Sequence, residues 1–135
     1  AKGTANYSLF MNAAGTAPEW GTRSVLGVYS RDMTAASGDV NYSFSFVPSV
    51  LFAIGGNGVS MWSIGFSSGL SEYCLYSQSS DLFALAQDKL LHAYEGSGKS
   101  QDAIVKTLGT TTVLTWTKTG TTSAGTFYFS LLALR

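Results

Sequence analysis

The sequence predicts an all-β protein, a compact antiparallel sandwich or jelly-roll-like barrel, and three observations carry that reading. Apolar and β-branched residues alternate with polar ones over short runs, which is the period of a pleated strand. Clusters of Gly, Asn, Asp and Ser interrupt the chain roughly every 8 to 12 residues, the rhythm of a sandwich or barrel. The last third, TTTVLTWTKTGTTSAGTFYFSLLALR, sets two such runs on either side of a Thr/Gly/Ser/Ala linker between Lys118 and Thr126. These two strands read as a hairpin that closes a fold of about seven to nine short strands.

In chain order, residues 1–21 are small, polar and broken by Gly15 and Pro18, so they read as an extended attachment arm. Its few apolar side chains, Tyr7, Leu9, Phe10 and Trp20, need a surface to dock on. The domain proper is expected over 22–135. Thr22–Ser30 offers a strand, and Thr34–Asp39 a turn. In Asn41–Phe46 the rings of Tyr42, Phe44 and Phe46 alternate with serines, the pattern of a half-buried strand. Pro48 must interrupt the ladder. Ser49–Ile54 and Val59–Phe66 flank Gly55–Gly58, whose Asn57-Gly58 pair is a hairpin signal.

Ser67–Gly69 is a turn and Tyr73–Ser77 a further strand. Asp81–Tyr94 is ambiguous. Leu82, Leu85 and Lys89 fall at helical spacing, with Asp81 and Gly96 as possible caps. The preferred reading breaks the stretch at Gln87 and Asp88 and runs Lys89–Tyr94 as a strand into a Gly-Ser turn at Glu95–Ser100. Ala103–Leu108 would pair back.

Composition narrows the function classes. The 135 residues suit one domain with a real core. Charged residues make up 12% of the chain, about half the ordinary share, while 33 residues are Ser or Thr. Such a surface repels neighbours weakly and suits a chain packed against copies of itself. Eight basic and eight acidic residues cancel without forming a run, which disfavours nucleic acid as a partner. No apolar run approaches the ~18 residues of a membrane span, and the first ten residues lack the pattern of a secretion signal. The lone Cys74, in an apolar YCLY setting, reads as a small core residue.

Several segments, in order, are similar to a small β-domain that recurs in tailed-bacteriophage virion proteins, above all at the ends of tail fibres. They are Phe46-Val47-Pro48-Ser49-Val50-Leu51-Phe52, Ser63-Ile64-Gly65-Phe66-Ser67-Ser68-Gly69, Trp116-Thr117-Lys118-Thr119-Gly120 and Leu132-Ala133-Leu134. Gly15 to Gly21, GTAPEWG, resembles the Gly-x-x-x-x-Trp stretch that precedes such a domain. Where the family usually has an acidic-Gly-Phe triplet before the Trp strand, this chain has Gly109-Thr110-Thr111-Thr112. The resemblance covers about residues 40 to 135 and implies a homotrimeric virion component, assembled in the host cytoplasm and exposed on the particle surface.

Catalytic motifs are present only in outline. Ala93-Tyr94-Glu95-Gly96-Ser97-Gly98-Lys99-Ser100 satisfies a relaxed phosphate-loop pattern, but a break at Gly109 leaves no room for the helix such a loop needs. Ser67 in Gly65–Gly69 fits a nucleophile-elbow spacing without the flanking strand and helix. Glu72, Asp81, Asp88 and Glu95 fall in or beside turns, where a glycosidase pair would need to be assembled in space. His92 alone makes no metal site. No cofactor or metal is expected.

The aromatics divide by position. Tyr42, Phe44, Phe46, Phe52, Phe66, Phe127 and Phe129 read as core, and Trp62 and Trp116 as core or interface anchors. Tyr29, Tyr73, Tyr76 and Tyr94 lie nearer turns, where a ring can stack on a sugar and its hydroxyl can hydrogen-bond. They are the candidate ligand-binding residues.

The expected function is adhesion: a fibre or spike tip that attaches the virion to the host, with receptor contact to surface glycan or protein through Thr34–Asp39, Gly55–Gly58, Ser67–Ser71, Glu95–Ser100 and Thr119–Gly125. The arm would dock on other virion proteins. The alternatives are a structural head-decoration or fibre-joining protein and, least favoured, an enzyme that degrades surface polysaccharide.

Overall fold

A computed structural model describes residues 8–11, 16–21, 23–58, 61–79 and 82–135, with backbone alone at 8, 10, 19, 20, 78 and 79. The described residues contain twelve strands: β1 (Ser8–Met11), β2 (Pro18–Gly21), β3 (Ser24–Asp32), β4 (Gly38–Ser43), β5 (Val50–Gly56), β6 (Trp62–Ser67), β7 (Glu72–Ser79), β8 (Leu82–Gln87), β9 (Leu91–Gly96), β10 (Lys99–Thr107), β11 (Thr111–Thr119) and β12 (Thr126–Leu134). Ten of them build a sandwich. One sheet has six strands in the order β3-β12-β5-β6-β7-β8, and the other has four in the order β4-β11-β10-β9. All the pairings are antiparallel. The all-β sandwich expected from the sequence is the observed fold, with more strands than the seven to nine expected because β8 forms an edge strand of its own in the larger sheet.

The remaining pair, β1 and β2, makes a small hairpin within the N-terminal arm, with Ser8 opposite Gly21. The arm therefore doubles back on itself where an extended course was expected. Tyr7 and the side chains of Phe10 and Trp20 lie outside the described residues. Leu9 is exposed, and its carbonyl accepts from the Arg23 guanidinium at 3.2 Å.

The core lies between the two sheets. Trp116, Leu114 and Ala103 from the smaller sheet meet Phe127, Phe129, Leu131, Leu51 and Ala53 from the larger one, all of them buried. Trp116 donates its indole N–H to the Tyr42 hydroxyl at 3.3 Å, which satisfies the one polar atom this ring brings into the core. Tyr42, Phe44 and Phe46 are all buried although β4 ends at Ser43. The alternation that marks them persists beyond the hydrogen-bonded ladder, into the crossing that Pro48 then turns toward β5. Of the 81–94 stretch, residues 82–94 form strands with a break at Asp88, whose φ of 58° an Asp tolerates better than a branched residue would.

Two expectations are corrected. β11 and β12 do not form a hairpin: β11 pairs with β10 and β4, and β12 with β3 and β5, so residues 120–125 cross from one sheet to the other. The linker is long enough to bridge the two layers, and its Gly120, at φ 65°, turns in the left-handed region with the Gly98 carbonyl 2.1 Å from where a Cβ would stand. The Asn57-Gly58 pair lies, as expected, in the hairpin that joins β5 to β6, within a connection longer than a two-residue turn. Asn57 N–H donates to the Met61 carbonyl at 3.1 Å, and Asn57 Oδ1 accepts from Met61 N–H at 3.0 Å, which closes a wider loop. Phe52 and Phe66 are not core. They sit on the outer pleat of β5 and β6, while Leu51, Ala53, Ser63 and Gly65 face inward. The inner residues are mostly small because β9 comes close: a Cβ on Gly65 would lie 1.9 Å from the Leu90 carbonyl oxygen.

Candidate binding surfaces

Strand register gives the sandwich two distinct ends. On the larger sheet Asp32 stands beside Thr126 and Ser24 beside Leu134, while Gly56 stands beside Tyr128. On the smaller sheet Gly38 stands beside Trp116, and Thr119 beside Ser100. The connections at 33–37, 57–61, 97–98 and 120–125 therefore gather at one end, the loop end. Those at 44–49, 68–71, 88–90 and 108–110 lie at the other. The arm enters at this second end, where the Arg23 carbonyl accepts from Arg135 N–H at 3.0 Å. Of the five outward loops expected from sequence, four are at the loop end, and Ser67–Ser71 is opposite them.

The loop end is held by buried polar groups. Gln101 is fully buried on β10, and its amide donates to the carbonyls of Met33 and Ala35 at 2.8 and 2.9 Å. Its oxygen accepts from Arg31 Nε at 3.3 Å, and Arg31 Nη2 donates to the Ala36 carbonyl at 2.5 Å. Thr122 donates its hydroxyl to the Met33 carbonyl. Lys118 adds a backbone bond to Ser37 Oγ and an ammonium contact to the Thr34 carbonyl. A loop whose carbonyls are satisfied by groups from two other strands is fixed in shape.

Between these loops lies a cleft of about 290 Å³. Met33, Met61 and Tyr94 supply apolar walls, and Asn57, Ser77, Glu95 and Ser123 supply polar groups. Glu95 Oε2 accepts from Ser123 N–H at 2.7 Å, which joins the β9–β10 hairpin to the crossing segment and leaves its Oε1 for other partners. An amphipathic ring beside hydroxyl, amide and carboxylate groups has the chemistry to bind a polyhydroxylated ligand.

Of the four candidate tyrosines, only Tyr76 and Tyr94 are brought together. Tyr29 packs edge-on to Tyr42 at 4.7 Å within the core cluster. Tyr73 lies on the outer face of the larger sheet, stacked on Phe66 at 5.7 Å. Tyr76 stands edge-on to His92 at 4.1 Å and 5.9 Å from Tyr94. Tyr94 alone of the four lines the cleft.

Beneath Tyr76 sits a polar cluster. Asp102 takes Lys89 Nζ at 2.7 Å on one oxygen and His92 Nδ1 on the other. Burial would push the Asp102 carboxyl up, but the hydrogen bonds and charges of His92 and Lys89 outweigh it and hold the group below the usual carboxylate range. Cys74 is buried nearby, and burial pushes its thiol up, away from nucleophilic use. Ser67 is buried and bonds to Glu72 Oε1 at 3.3 Å, and the segment after it is a turn into β7 and not a helix. The Gly-Ser tip of the relaxed phosphate pattern is the β9–β10 turn, followed by a strand. Glu95 lies at the loop end and Glu72 and Asp88 at the other, so Glu95 does not pair with either of them. Asp81 lies outside the described residues. Among the described residues no group of three or more His, Cys, Asp or Glu could hold a metal ion, and no helix is long and apolar enough to cross a membrane.

The larger sheet presents a second surface. Leu26, Leu132, Phe52, Phe66 and Tyr73 line up across five strands, and Val28, Ser130, Ile54, Ile64, Leu75 and Leu85 across all six. Sequence reasoning missed this row structure because alternation shows that a strand has two faces without showing which of them is covered. Gln101 was missed too, since a lone Gln in a strand carries no signal. Comparison with known protein families, curated proteins and solved structures found no match to this chain.

Proposed function

We propose that this chain is a non-catalytic fibre or spike tip domain of a bacteriophage virion, homotrimeric, that attaches the particle to a host surface glycan or protein. The observation that supports it is the polarity of the domain: the arm enters at one end, and four of the five candidate contact loops, with the cleft between them, are at the opposite end. A tip domain needs this arrangement, because whatever holds it must not compete with what it touches. The 33–37 loop is braced by Gln101 and Arg31 and tied to the 120–125 segment by Thr122, so little ordering cost is left there for the moment of binding. Repeated weak contacts in an oligomer then raise the effective concentration of each remaining site.

The second reading, a head-decoration or fibre-joining protein, draws on the arm. Its hairpin exposes Leu9 and Met11, which suit docking on another virion protein. The experiment that separates the two is retention of the purified chain on a panel of bacteria and on their isolated surface polysaccharides. Retention on a cell or glycan supports the adhesive tip. No retention on any surface, together with a stable complex with a capsid or fibre protein, replaces it with the structural reading.

A further inference from the structure

We propose that the outer face of the six-stranded sheet is an interface between copies of this chain. The inference rests on this face alone and not on the virion reading. Val28 is 73% exposed, Leu26 and Leu85 65% each, and Phe52 45%. These side chains are continuous: the cross-strand rows bring Phe52 to 6.4 Å from Phe66 and Trp62 to 5.2 Å from Phe83. Five half-exposed aromatic rings and six exposed aliphatic side chains amount to roughly 1,000 Å² of apolar surface, against about 300–600 Å² for the largest patch on an ordinary monomer. A stable protein–protein interface buries about 800 Å² per partner. The face is large enough for one without help from the loops.

Charge identifies the occupant. Among the described outward positions of the six strands, Asp32 at one corner is the only charged residue, and Thr34 already bonds its carboxylate. The outer face of the smaller sheet is the contrast. There Asp39 pairs with Lys106 at 2.5 Å and accepts from Thr115 at 2.6 Å, as a solvated face does. A charged or strongly polar partner would have its groups desolvated against the larger sheet with nothing to pair them. A partner for this surface must itself be broad, apolar and uncharged, and the same face of another copy meets that description. Two shallow apolar grooves of about 230 Å³ each, flanking the Phe52 and Ile64 ridge, give a second sheet something to interdigitate with.

The test is sedimentation equilibrium on the wild-type chain and on Ile64→Arg and Val28→Arg, with Thr117→Arg on the opposite outer face as control. All three sites are exposed or nearly so, and the far-UV circular dichroism of each variant checks that the strands persist. We expect the wild type and Thr117→Arg to sediment as two or three chains and both face variants to weaken association at least tenfold with unchanged β spectra. Two chains would mean face-to-face pairing, and three a prism of sheets about one axis. A wild-type chain that stays monomeric up to its solubility limit overturns the proposal, as does an Ile64→Arg chain that folds and keeps the wild-type mass. Absence of glycan and cell binding by an assembled wild-type chain would count against the adhesive role and leave this interface standing.

Discussion

At the scale of single residues, two half-buried carboxylates are set to respond to pH in opposite directions. Asp102 is held below the usual range despite its burial, because His92 and Lys89 hydrogen-bond its charged form. A depressed folded-state pKa contributes stability that is fully present above the unfolded value and is lost as pH falls through the folded one. Acid unfolding followed by circular dichroism should therefore be blunted in Asp102→Asn, which also loses on the order of 1–3 kcal/mol at neutral pH by leaving Lys89 and His92 without their anion. Glu72 is the reverse case. Burial raises its pKa, its Oε1 accepts from Val105 N–H at 2.7 Å, and its Oε2 is buried without a partner. Its folded-state pKa lies above the unfolded value, so stability is highest below the carboxylate range and declines as pH rises through the folded pKa. Glu72→Gln should leave the protein at least as stable as wild type at pH 7 in urea titrations and lose that advantage in mild acid. A Glu72→Gln chain less stable than the wild type at neutral pH would contradict this. Neither carboxylate's role was legible in the sequence, since burial of a Glu or Asp in a strand depends on which neighbours the register brings.

Between elements, the decisive contacts are where strands of different sheets approach. Gly65 lets β6 pass under β9, and a methyl there would collide with backbone and not with a flexible side chain. Gly65→Ala should cost about 3 kcal/mol, at the upper end of overpacking, measured as a lowered urea midpoint. Full stability in that variant would mean the two strands are further apart than described. Trp116→Ala should cost about 3–5 kcal/mol by opening a cavity between the sheets. The alternating runs that form β3 to β7, the choice of strand over helix for 81–94, and the break near Asp88 were readable because period and turn chemistry are local properties. The pairing of β11 was not. A hairpin and a crossing use the same residue types in the linker, and only the strand pairing on either side, a non-local property, distinguishes them. The same limit explains why Phe52 and Phe66 read as core. Alternation places them on one face, and whether that face is covered depends on the four-stranded sheet, which packs on the other side.

On the scale of the whole molecule, the domain has a loop end, an arm end, a polar outer face and an apolar one. Four of the five loops that the sequence singled out do gather, because antiparallel strands of similar length return their connections to the same end. Of the candidate tyrosines only Tyr76 and Tyr94 came together, because nearness to a turn in sequence says nothing about which end or layer a side chain occupies. Tyr29 went into the core, Tyr73 to the apolar face, and Tyr94 to the cleft. The adhesive role requires the loop end to be the contact surface, and the most direct test is binding to whole cells or isolated surface polysaccharide by variants that differ only in which end they obstruct. Ala124→Trp at the mouth of the cleft and Ser97→Trp on the hairpin tip should each weaken binding roughly tenfold or more, about 1.4 kcal/mol. Ser71→Trp, exposed at the arm end, should leave it unchanged. Binding that survives both loop-end substitutions and is lost with Ser71→Trp would contradict the adhesive role of the loops.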